Sequence, residues 1–119
     1  MENSLEAAKK AAEEKAVERS QKLGVKVRPM VFVVQAHGAE PVVGFIKEPP
    51  RQVKLAIMDK IHSGFYSACD QALDVVLLKE ESDPRISSER SEDDVYRMGA
   101  VNLLSELIQY AANQLDKKK

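Results

Sequence analysis

Two short runs of β-branched and aromatic residues, Met30-Val31-Phe32-Val33-Val34 and Val42-Val43-Gly44-Phe45-Ile46, set the tightest limit on the fold. The polar stretch His37-Gly38-Ala39-Glu40-Pro41 between them carries Gly and Pro where a chain reversal needs them. Strands joined by so few residues pair as an antiparallel hairpin. Pro29 stands near the start of the first strand, where a missing N–H is tolerated. Two strands alone are marginal in water, so this hairpin must lie against helices. Alternation puts Val31 and Val33 on one face of the first strand and Met30, Phe32 and Val34 on the other. Both faces are apolar. Cover on one side only would leave Phe32, Met30 and part of the second strand exposed, together with two unpaired edges. The missing cover is the N-terminal helix, another copy of the chain or a foreign segment, and a protein partner is the favoured of these.

The flanking segments are helical. Residues 3–23 are rich in Ala, Glu, Lys and Arg and lack Gly and Pro. Asn3 is placed to cap this helix, with Glu6 three positions on, and Glu6/Lys10 and Glu18/Lys22 have the spacing of helical ion pairs. Its apolar stripe (Leu5, Ala8, Ala12, Ala16, Leu23) buries little area. The helix is therefore either a solvated, fraying segment or an arm that docks on a partner or sister subunit. After Lys47-Glu48-Pro49-Pro50, Val53, Ala56, Ile57, Lys60 and Ile61 follow helical spacing from a Pro50 start. Ser63 is placed to cap the next helix, whose stripe Phe65, Ala68, Cys69, Ala72, Leu73, Val76 and Leu77 is the cleanest in the chain. Residues 79–90 read as a polar loop. Ser91 and Asp94 form a capping-box-like start to a last helix, with a broad apolar face from Val95 and Met98 to Leu115 and a Lys117-Lys118-Lys119 end. The expected fold is α+β: a charged N-terminal helix or arm over 1–24, then a domain over 25–119 in which an antiparallel hairpin packs on a bundle of three helices.

Chemistry is sparse in this pattern. His37 and His62 lie 25 positions apart with no metal-ligand spacing beside either, and both read as solvated or capping residues. Cys69, the single cysteine, sits inside an apolar stripe and reads as a small core residue. The five glycines are isolated, so no phosphate loop exists. Glu80-Glu81-Ser82-Asp83 lacks the alternating ligands of a calcium loop and reads as solvated or capping. No catalytic, cofactor-binding or metal-binding residue is expected. A net charge of −1 gives no field that would draw nucleic acid or anionic lipid. Lys22, Lys26, Arg28 and the lysine tail form a charged fringe without the aromatic interleaving of a stacking platform. No apolar run approaches the roughly 20 residues of a membrane span, and the first residues lack the basic and apolar regions of a signal peptide. With one thiol, a reducing, cytoplasmic setting is expected.

From Val31 to Leu115 the chain resembles the tail-assembly-chaperone-like proteins of tailed bacteriophages. The likeness is carried by an ordered series. Val31-Phe32-Val33-Val34 precedes a short polar turn, and Gly44-Phe45-Ile46-Lys47 runs directly into Pro49-Pro50-Arg51. A helix centred on Ala56-Ile57-Met58 follows, then an alanine-rich helix, the acidic loop Glu80-Glu81-Ser82-Asp83-Pro84-Arg85-Ile86 and a final helix. The N-terminal Ala/Glu/Lys helix departs from that pattern. The resemblance implies a non-enzymatic protein of the infected bacterial cytoplasm, possessing no cofactor, that keeps the tape-measure protein or another tail component soluble during assembly. Met30, Phe32, Val34, Phe45 and Arg51 are the expected partner-binding residues, Arg51 serving either as a structural pin on a carboxylate or as a client contact. The alternative expectation is a structural homo-oligomer of the virion, in the neck, tail or capsid.

Overall fold

The computed structural model describes residues 2–35, 38 and 40–116, with side chains described between 4 and 111. Six elements carry the fold: α1 (Glu2–Leu23), β1 (Val27–Val33), β2 (Pro41–Lys47), α2 (Arg51–Met58), α3 (Phe65–Val76) and α4 (Asp94–Asp116). Two 3-10 turns, Pro84–Ser87 and Ser91–Asp93, lead into α4. The chain is α+β, as its pattern predicts. The two strands pair antiparallel with Val31 opposite Val43.

The hairpin is the middle layer. Met30, Val42 and Ile46 point to a cluster built from α2, α3 and α4, against which Phe32 and Val34 also pack. Val27 and Phe45 point the other way, to Ala12 and Ala16 of α1, with Val31, Val43 and Leu78 around them. The strand alternation read from sequence is thus the observed one, but the uncovered face is not. α1 roofs it. Alanine contributes little area, yet its small side chain lets the helix approach the sheet closely enough that Phe45 is only 2% exposed. Burying a phenyl ring in this way contributes about 1.5–3 kcal/mol. The stripe that looks too thin to dock therefore docks because the bulk comes from the sheet.

Hydrogen bonding fixes the register. The amide of Glu48 donates to the carbonyl of Lys26, which makes that pair and every second pair inward from it hydrogen-bonded. Pro29 and Pro41 consequently fall at positions whose N–H would point away from the partner strand. On the outer edge of β2, the segment after α3 supplies the missing partners: Leu78 N–H donates to Phe45 O, Asp83 N–H to Val43 O, and Phe45 N–H to Ser82 Oγ at 2.9 Å. Residues 79–90 are therefore not the solvated loop that their polarity suggests. Ser82 is buried, Ile86 is fully buried, and Asp83 caps the following 3-10 turn through the amide of Arg85.

Close approach needs two glycines. A Cβ on Gly44 would stand 2.9 Å from Ile86 Cδ1 and 3.2 Å from Met30 Cε. One on Gly99 would run into the Phe32 ring, 2.7 Å from Cδ2 and 2.9 Å from Cζ.

Several local expectations are corrected. α1 already begins at Glu2, ahead of Asn3. Neither Glu6/Lys10 nor Glu18/Lys22 forms an ion pair; Lys15 and Arg19 reach instead to Glu81, at 3.8 and 2.6 Å. α2 stops at Met58, leaving Ile61 exposed. α3 starts from Gly64 in the left-handed region, with no side-chain cap from Ser63. Ser91 opens a 3-10 turn instead of capping α4.

Candidate functional site between α3 and α4

Of the hairpin residues expected to bind a partner, Met30 and Phe45 are closed off by the chain itself. Met30 is 4% exposed and Phe45 2%. Phe32 lies in the notch at Gly99, and Val34 packs half-buried against the main cluster. Phe45 also carries the Lys15 ammonium 5.3 Å from its ring centre. Arg51 is exposed and has no ion pair among the described residues, so it pins nothing. The carboxylate beside it, Glu48, is taken by Arg28 and by Lys54 at 2.6 Å. Met30 and Phe45 are thus not open to a partner, while Phe32 and Val34 keep part of their surface in solvent. What remains open of the hairpin is the outer edge of β1. Ser20 Oγ satisfies the Val27 amide at 2.8 Å and Pro29 has none to offer, which leaves the backbone of Val31 at the edge of a groove of about 410 Å³ between Lys9 and Glu13 of α1 and Leu103 and Leu107 of α4.

A larger groove, about 640 Å³, runs between α3 and α4. Helical periodicity builds it. Tyr66, Asp70 and Asp74 form one row along α3; Asp94, Met98, Asn102 and Glu106 form the facing row along α4. Tyr66 and Met98 stand 56% and 65% exposed and, with Val101, give the groove its apolar lining. Val95, one turn before Met98, is also exposed.

Arg97 bolts the two helices together beneath this surface. Its guanidinium donates to Asp70 Oδ1 at 2.6 Å, Asp74 Oδ1 at 2.8 Å and the Asp70 carbonyl at 2.8 Å. Burial opposes its charge, but these two carboxylates outweigh burial and hold it protonated more firmly than usual. Asp94 and Glu106 stand exposed on the opposite row, one turn before Met98 and one turn after Asn102. The rim is acidic.

The other shifted groups serve the fold. Burial pushes Glu48 up, while Lys54 and Arg28 together hold it below the ordinary carboxylate value. The Arg85 guanidinium holds Asp83 down against burial, and the same guanidinium lies 4.0 Å over the Tyr96 ring and donates to its hydroxyl. Burial raises the Cys69 thiol to about 11.

Sequence reasoning placed Val95 and Met98 in the core face of the last helix and passed over Tyr66. A signal was present: the apolar arc of the last helix was broader than one packed face requires, and its surplus edge is the groove. Among the described residues no group of His, Cys, Asp and Glu is arranged to hold a metal ion. His62 is exposed beyond α2, while His37 and the terminal lysines lie outside the described residues. No described helix is long and apolar enough to cross a membrane.

No family model, curated protein or solved structure matched the chain when it was compared with each.

Proposed function

We propose that this protein is a non-enzymatic assembly protein of a tailed bacteriophage, a tail assembly chaperone or adaptor that binds the tape-measure protein or another tail component in the cytoplasm of the infected host. The observation that carries the reading is the α3–α4 groove, where Tyr66 and Met98 lie open beside each other on a scaffold fixed by Arg97. Exposed aromatic and methionine side chains in a groove between helices suit the capture of a helical segment. The motif series behind the phage resemblance also falls on consecutive elements: β1, β2 running into Pro49-Pro50-Arg51, α2, α3, the packed acidic segment 80–86, then α4. Binding through α3 and α4 replaces the hairpin surface as the physical basis of the reading.

Co-expression with candidate tape-measure proteins tests the function. The soluble fraction of the client should rise several-fold. No rise for any of a set of overlapping client fragments refutes the reading.

A second reading, a structural homo-oligomer of the virion, draws support from the open edge of β1, since two copies could pair there. Sedimentation decides it: a monomer at every concentration, absent from purified particles, removes it.

A further inference from the structure

We infer that the α3–α4 groove is the seat of a lysine- and arginine-rich amphipathic helix in the client, an inference that rests on the assembly-protein reading and gives its binding site a chemistry. Two independent features of the groove select this occupant. The first is shape and polarity. Two rows of side chains one helix-spacing apart, with Tyr66, Met98 and Val101 along them, match the apolar stripe of a third helix laid in the groove between the first two. An extended strand would find no unpaired backbone here, because every wall is helix.

The second feature is charge. Asp70, Asp74, Asp94 and Glu106 flank the apolar lining, and the one cation among them, Arg97, is 17% exposed and already spans both Asp70 and Asp74. Asp70 and Asp74 keep 50% and 65% of their side chains in solvent, so their outer oxygens remain available to a visiting cation. A helix with Glu or Asp beside its apolar stripe would set like charges against this rim, while Lys or Arg in those positions would meet carboxylates along the whole groove. The same acidic rim disfavours a second copy of α4 docked here, since α4 carries more carboxylates than cations, and the apolar stripe of α1 is already committed to the hairpin. Anionic lipid is disfavoured for the same reason.

The experiment uses the full chain and two synthetic peptides of roughly 18 residues, about five helical turns. Both carry leucine at i, i+3, i+4 and i+7; one has lysine at the flanking positions, the other glutamate. Binding is read by fluorescence anisotropy and mapped on the Met98 methyl signal and the amides of α3 and α4. The lysine peptide should bind at least about tenfold tighter at low salt, and the gap should narrow as salt rises past about 0.5 M. Met98→Ala and Tyr66→Ala, both at exposed positions and expected to leave the melting temperature unchanged, should each weaken it about fivefold or more. Glu106→Lys should weaken the lysine peptide and strengthen the glutamate one.

Equal affinity for the two peptides, no binding at low salt, binding that moves the Val31 and Val33 amides instead, or a dimer dissolved by Met98→Ala would each overturn the inference. The two levels of the reading separate cleanly. If the Tyr66→Ala/Met98→Ala double variant still solubilises the tape-measure protein, the groove falls and the assembly function stands. If the lysine peptide binds as expected but no client is solubilised, the groove stands and the function falls.

Discussion

Gly99→Ala is the sharpest test of how the hairpin meets α4. In an unconstrained helix interior the substitution stabilises by about 0.8–1 kcal/mol, because alanine loses less backbone freedom on folding. Here the added methyl would overlap three atoms of the Phe32 ring, with Cδ2 at 2.7 Å and Cζ at 2.9 Å. Ordinary contact between carbon atoms begins near 3.5 Å. The ring must therefore retreat by close to 1 Å, and that movement pulls it out of the main cluster against which it packs half-buried. Overpacking of this kind costs about 1–3 kcal/mol, enough to outweigh the propensity gain. A net loss of up to about 2 kcal/mol is expected, a shift of up to roughly 1 M in the urea midpoint for a typical slope.

The partner substitution makes the argument decisive. Phe32→Leu alone should destabilise by removing packed ring atoms, but in its presence Gly99→Ala should become neutral or stabilising. The double-mutant cycle should therefore show a coupling of at least about 1 kcal/mol. Gly99→Ala that raises stability in the wild-type background, or a cycle with no coupling, would refute the placement of the ring against Gly99.

Three further outcomes follow from the same geometry. Ser82→Ala should cost about 1–3 kcal/mol in urea unfolding, because Ser82 Oγ bridges Phe45 N–H and the Leu78 carbonyl at 2.9 and 2.7 Å and its loss leaves a buried amide unpaired. Glu48 and Asp83 have folded values below their unfolded ones, so their stabilisation is fully present above about pH 5 and disappears as pH falls through the depressed values. Denaturation midpoints should drop on acidification through that range, and less so in a Glu48→Gln/Asp83→Asn variant. Cys69, fully buried with its thiol raised to about 11, should resist a thiol-modifying reagent at pH 7 in the folded protein and react at once in denaturant.

The elements were legible in the sequence because each rests on a local period. The alternation of β1 and the stripe of α3 need no distant information. Cover and closure were not legible, because they depend on partners far along the chain. Nothing in Ala12 and Ala16 announces Phe45, and nothing in Ser82 announces its amide; both contacts exist only once the hairpin has formed. The acidic segment misled for the same reason. Glu81 and Asp83 look solvated in one dimension, yet Arg19 and Arg85 are waiting for them in three. The groove was half visible. Met98 and Val95 belonged to an apolar arc wider than one helix face, but Tyr66 opposite them became meaningful only when Arg97 joined α3 to α4.

The two prolines of the hairpin act as a ratchet with a single permitted notch. Sliding one strand by one residue would carry Pro29 or Pro41 onto a rung that demands a donor neither possesses, and would turn the phenylalanines toward the wrong helices. Sliding by two would restore the rungs but drag Phe32 off its glycine and Gly44 out from under Ile86. Insertions within either strand should therefore be far less tolerated than insertions in the connection between them.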